Sequence, residues 1–149
     1  MPVFSYSFLL LFVLVLAGVG IPFMAAMNAN LGVRLENPPA AVFLLSLVAT
    51  FSSGILLVRG GLPRIDDFAT VPVQLYLGGT LFVFYLTAIT FGAPKVGLGA
   101  AVLVVLFGQV ASAALIDHLA LMGTERRSLT SQRLLGLGVM AIGLALAKS

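Results

Sequence analysis

The chain contains no cysteine, no tryptophan and a single histidine. Without cysteine there is no disulfide framework, no thiol nucleophile and no thiolate metal site. One histidine excludes a multi-histidine metal cluster within one chain. Charge is scarce as well. Asp, Glu, Lys and Arg make up 9% of the 149 residues, against about 25% in a soluble domain. So few charges cannot cover a water-facing surface. The net charge of +3 leaves no nucleic-acid footprint, because the basic residues lie in short connections and form no patch. No serine–histidine, paired-aspartate or histidine-cluster arrangement sits at a depth suited to intramembrane catalysis. The chain is therefore not read as an enzyme, and no metal or cofactor is implied.

What is present is apolar: 60% of the residues are hydrophobic, gathered in long runs. Runs of this length mark membrane spans. The sequence predicts an all-α polytopic membrane protein forming one membrane domain over residues 1–149, with helices near 4–31, 38–58, 72–92, 96–116 and 131–147. No lysine or arginine precedes the first run, and the run exceeds a signal-peptide core of about 7–15 residues. It is read as a retained helix, broken near Gly18–Pro22. Pro22 has no N–H, so the carbonyl of Gly18 loses its helical donor. A packing kink is the reading taken.

Asn37 is placed to cap the second helix, with Pro38 at its first position, where the missing N–H costs nothing. Ser46, Thr50 and Ser53 share a face of that helix and are assigned to packing or to bonds back to their own carbonyls. The loop pair Asp66-Asp67 is read as solvated.

The stretch from Gly78 to Gly123 carries most of the functional information. Its two apolar runs meet at the turn Gly92-Ala93-Pro94-Lys95-Val96-Gly97, and Tyr85, Thr87, Thr90, Gln109 and Ser112 are the chief polar interruptions. A polar side chain at membrane depth requires a partner or a cavity. Tyr85 falls near mid-membrane, so its hydroxyl needs a partner. Gln109, with two donors and an acceptor oxygen, either locks helices together or faces a substrate. Asn28 and Asn30 suit an interfacial helix end and are secondary binding candidates. Asp117-His118 closes the fourth helix, where a carboxylate meets the negative end of the dipole and requires a cation. Arg126, Arg127 or Arg133 is available. The pair is an interfacial contact or a proton-coupling element. Small residues form two seams that permit close helix approach, Ala101–Gly108–Ser112 and Gly136–Gly143–Ala147.

Five spans put the termini on opposite sides. Arg59, Arg64, Arg126, Arg127 and Arg133 flank one side and Arg34, Lys95 and Lys148 the other. The bias leans to a cytoplasmic amino terminus and is small enough to permit both orientations. A lone five-helix unit is half of many inverted-repeat transporters, which motivates a dimer.

Gly78-Gly79 with Phe84-Tyr85, then Ala93-Pro94-Lys95-Val96-Gly97, Gly108-Gln109, Asp117-His118 with Gly123, and Arg133-Leu134-Leu135-Gly136 with Gly143 resemble the YdcZ-type family of small five-helix membrane proteins in the drug/metabolite transporter superfamily. The second half of the chain matches better than the first. The family pattern places a glutamine four residues before the first-helix asparagine. Met24 stands there, with Asn28 and Leu31 following. The resemblance implies a bacterial inner-membrane transporter of small molecules that works as an antiparallel pair, either one chain in two orientations or two homologous subunits. The related small multidrug resistance proteins use a glutamate in the first helix. This first helix has no acidic residue, so that proton mechanism does not transfer.

The expectation is thus an exporter of metabolites or amphiphiles, embedded in the bilayer as an antiparallel homodimer or heterodimer. Gln109 and Tyr85, with Asn28 and Asn30, line its substrate site. Asp117 and His118 are candidates for ion coupling, and Gly108, Ser112, Gly136 and Gly143 for packing or dimer contact. Aliphatic and aromatic walls with few charges suggest a neutral or lipophilic substrate, or a weak cation. The rival expectation is a non-transporting membrane scaffold or regulatory subunit.

Overall fold

A computed structural model describes the backbone of residues 3–147 and the side chains of residues 8–147. Lys148, counted above among the flanking charges, lies outside the described residues. Among those described, every regular element is helical: α1 (Val3–Arg34), α2 (Pro38–Gly60), the short α3 (Ile65–Thr70), a 3₁₀ turn Val73–Leu77 leading into α4 (Gly78–Val96), α5 (Leu98–Leu119), a 3₁₀ turn Leu121–Gly123 and α6 (Ser131–Ala147). Four segments are long and apolar enough to cross a bilayer: Phe8–Arg34, Pro38–Gly60, Val73–Val96 and Leu98–Leu119. The expected fifth span, α6, is an apolar helix of 17 residues and falls below that length. At 1.5 Å per residue it reaches about 25 Å, against a hydrocarbon core of about 30 Å.

The chain divides into two compact units, Met1–Lys95 and Val96–Ser149. In the first, α1 packs on α2. Their connection is a helix-closing motif followed at once by a helix-opening cap. Glu36 turns left-handed at φ 49°. The N–H of Glu36 donates to the Val33 carbonyl at 3.1 Å and that of Asn37 to the Gly32 carbonyl at 3.1 Å, the bond pair of a Schellman ending. Asn37 then caps α2, its Oδ1 accepting the Ala40 N–H at 3.1 Å, with prolines at the first two positions. One residue thus ends α1 and starts α2, which keeps the connection short and the two helices neighbours.

Pro22 lies inside α1, which remains one helix across it, as the single-helix reading expected. A proline removes one hydrogen bond from a helix without having to end it, and membrane helices tolerate the loss. The same holds at Pro94. A boundary was expected at Gly92 or Pro94, but α4 continues to Val96. The turn shrinks to Gly97, whose φ of 87° suits glycine because a Cβ disfavours that region.

The hydroxyls of α2 bond back to their own helix. Ser46 donates to the Val42 carbonyl at 2.9 Å, Thr50 to Ser46 at 2.8 Å and Ser53 to Thr50 at 3.0 Å. Asp67 accepts the Arg64 N–H at 3.1 Å at the head of α3, so one member of the acidic loop pair acts locally as a cap.

In the second unit α5 packs on α6. Ala120 ends α5 in the left-handed region at φ 51°, and the chain folds back over the helix end. Arg127 N–H donates to the Asp117 carbonyl at 2.9 Å, and Thr124 Oγ1 to the Ile116 carbonyl at 3.4 Å. These bonds satisfy carbonyls that a helix end leaves open. Thr130 caps α6 by accepting the Arg133 N–H at 3.3 Å.

Candidate functional site

The buried interior of the first unit is small. Ala25, Ala29, Ala41, Val42, Leu86, Ile89 and Ala93 form it, and two polar residues, Asn28 and Thr90, are buried with them. Alanines dominate because small side chains let helix backbones approach closely. Gly32 extends the same logic: a Cβ there would stand 3.1 Å from Thr90 Cγ2 and 3.2 Å from Pro38 Cα. One contact is to backbone, which cannot rotate away. The glycine is what lets α1 meet both the start of α2 and the end of α4.

At this approach Asn28, 2% exposed, donates its side-chain N–H to Thr90 Oγ1. The two residues are 62 apart in sequence, so the bond joins α1 to α4. It leaves Asn28 Oδ1 buried and without a partner among the described residues. An unpaired buried acceptor costs roughly 1–3 kcal/mol. Pro94 adds to the polarity here, since it offers no N–H to the Thr90 carbonyl four residues back. Tyr85, also on α4, has a buried hydroxyl with no partner. The partner expected for it is therefore not supplied by the described residues.

Between α1 and α2 lies an open groove of about 920 Å³. Its walls are apolar, with Phe23, Met24, Met27, Leu44, Leu45 and Val48 among the lining residues, and Asn28, Asn30 and Arg34 provide its polar groups. Asn30 is exposed, and its Oδ1 accepts from Arg34 Nε at 2.7 Å. Asn28 and Asn30, two residues apart, thus line one groove while doing different work. Asn28 points to α4, and Asn30 steadies an arginine.

The remaining candidates belong to the second unit. Gln109 and Ser112 are exposed on α5; the Ser112 hydroxyl donates to the Gln109 carbonyl at 3.1 Å. A Cβ built at Gly108, Gly136 or Gly143 would meet nothing within 4 Å among the described residues. Among the described residues, these small-residue faces are open. Asp117 pairs with Arg133 at 3.5 Å, so of the three cations considered, Arg133 stands beside it. His118 Nδ1 accepts the Leu129 N–H at 3.3 Å. Asp117 therefore ties α5 to α6, and His118 holds the return loop onto α5.

Sequence reasoning singled out Asn28 without its partner. Thr90 was visible as a polar interruption, and Gly32 was not singled out at all. The available signal was the pairing of two uncharged hydrogen-bonding residues near the ends of different apolar runs, each needing a partner at depth.

The family profile described as "Putative inner membrane exporter, YdcZ" matches residues 9–146 of the chain. No curated protein and no solved structure shows a significant match.

Proposed function

Because the chain belongs to the YdcZ family of inner-membrane exporters, we propose that it is a secondary transporter that exports small metabolites or amphiphiles as an antiparallel dimer. The observation that carries this reading is the buried Asn28–Thr90 contact with its unsatisfied Oδ1. A static packing contact gains little from an orphaned acceptor, whereas a transporter uses polar groups that exchange partners between states. Tyr85, whose hydroxyl has no partner among the described residues, and the exposed Gln109 are the other proposed substrate contacts, and Asn30 is the fourth.

In the proposed dimer α6 serves as the fifth span, its shortness accommodated by local bilayer thinning or by flanking residues that reach the interface. The open faces at Gly108, Ser112, Gly136 and Gly143 support pairing with a second subunit, because small residues are where membrane helices dock. Alternating access rocks one half against the other. Asp117 and His118 remain the proposed ion-coupling pair, acting through the Arg133 contact with α6 and the Leu129 contact with the return loop.

The experiment is reconstitution of purified chain in proteoliposomes, alone and as Gln109→Ala. Transport by the chain alone, lost in the variant while dimerisation persists, supports the proposal; unchanged flux in the variant rejects the role of Gln109. A chain that moves nothing and always copurifies with a larger membrane protein would favour a scaffold or regulatory subunit. Reporters on both termini complete the test. Mixed orientation supports a homodimer of opposed copies, and one fixed orientation calls for an oppositely inserted homologue.

A further inference from the structure

The groove between α1 and α2 has a polarity that the transport reading leaves unused. From Gly20 to Arg34 it follows α1 for about 21 Å at 1.5 Å per residue. Its walls are aliphatic, aromatic and thioether side chains, and its one charged lining residue, Arg34, stands at the far end. Arg34 is the last residue of α1, directly before the Leu35–Asn37 turn, so it lies where the helix leaves the apolar layer. Its guanidinium is oriented rather than neutralised. Nε is tied to Asn30 Oδ1, and among the described residues no carboxylate stands within ion-pair distance of it. The Nη donors are left for something else. A guanidinium held by one edge presents the other as a fork suited to carboxylate or phosphate oxygens.

We infer that this groove binds a single-chain anionic amphiphile, its acidic head on Arg34 and its alkyl chain laid along Phe23, Met27, Leu44 and Val48. The inference rests on the transport reading and gives it a substrate class, an acid rather than the neutral molecule or weak cation that the scarcity of charge alone suggests. The length of the apolar wall favours this class over a compact polar metabolite, which would leave most of the wall uncovered. The position of the cation at the helix end favours it over a cationic amphiphile, whose head would meet a like charge. Asn28, also in the lining, sits between head and tail positions. Its orphaned Oδ1 suits an amphiphile with a hydroxyl or amide donor partway along the chain once Asn28 turns from Thr90.

The test is equilibrium binding of radiolabelled laurate to the full chain in phosphatidylcholine nanodiscs, with dodecyltrimethylammonium and a two-chain phosphatidic acid as competitors. Saturable laurate binding is expected, displaced by neither competitor at equal concentration. Arg34→Gln is expected to weaken it about tenfold, the loss of one charge-assisted contact, and Arg34→Lys by less. Val48→Trp, which fills the groove without touching the cation, is expected to abolish binding. Equal displacement by the cationic competitor, or unchanged affinity in both Arg34→Gln and Val48→Trp, overturns the inference. Displacement by phosphatidic acid overturns it too, in favour of an ordinary bilayer lipid. Failure of the transport reading looks different: laurate binds and depends on Arg34, yet proteoliposomes show no flux of it. If the chain transports another solute while laurate never binds, the groove inference falls and the transport reading stands.

Discussion

Asn28 and Gln109 are both uncharged amides in apolar helices, yet Asn28 is 2% exposed and bonded to Thr90, while Gln109 lies open on α5. The difference does not come from the amides. It comes from their neighbours. Around Asn28 the chain supplies Ala25, Ala29 and Gly32, a run of small residues one helical turn or so apart that brings another helix within hydrogen-bond reach. Gly108, beside Gln109, offers the same opening, but beyond its own stretch of helix nothing described comes within 4 Å of the Cβ it lacks. The same device is closed in one unit and open in the other. An open small-residue face beside an unpaired amide supports a role for Gln109 toward a second subunit or a substrate.

The largest expected effect comes from closing off the approach that buries Asn28. Gly32→Leu forces a side chain against Pro38 backbone and Thr90 and is expected to destabilise the first unit by roughly 2–3 kcal/mol, the upper range for overpacking; thermal melting in detergent measures it. Gly108→Leu meets no intrachain neighbour, so it is expected to leave the melt of the monomeric chain within about 0.5 kcal/mol, as for exposed substitutions, and to weaken dimerisation instead. Equal losses in the two variants would erase the contrast.

A double-mutant cycle with Asn28→Ala and Thr90→Val is expected to give a coupling of about 0.6–1.7 kcal/mol, the range for hydrogen bonds between membrane helices. A coupling of zero would mean that the amide does not meet the hydroxyl. Gln109→Ala is expected to cost transport without moving the melting transition, and a large melting shift would place Gln109 in a structural contact. Near the bottom of the scale, Asp117→Asn is expected to cost about 0.2–1 kcal/mol, since the pair with Arg133 is partly solvated at 32% and 39% side-chain exposure. Glu36→Gly is expected to stabilise by about 1 kcal/mol, because Glu36 holds φ 49° at a helix ending that favours glycine. No gain would argue that its side chain has work of its own.

Four of the five expected spans were legible because hydropathy and length speak directly for membrane helices, while α6 falls short of span length. The Asn37 cap and Pro38 start were legible because both are local chemistry. Pro94 misled, since a missing N–H reads as a boundary in water and is tolerated in a membrane helix that continues past it. The site was legible only in part. Asn28, Asn30, Tyr85 and Gln109 stand out as polar residues in apolar runs, but a single chain does not state which pairs meet. Thr90 lies 62 residues from Asn28, and Gly32, which permits their contact, has no side chain to draw notice. Arg34 read as a flanking charge, since its tie to Asn30 appears only when i and i+4 are set on one helix face.

The most direct measurement exploits the absence of native cysteine: single cysteines at Met24, in the groove wall, and at Leu14, exposed on the earlier part of α1, are treated with a membrane-impermeant maleimide in native membranes. A transport path along the groove requires that Met24→Cys react and that bound laurate protect it, while Leu14→Cys stays inert. If Met24→Cys proves as inert as Leu14→Cys, the groove holds only lipid and opens to no water, and the export role of this site is contradicted.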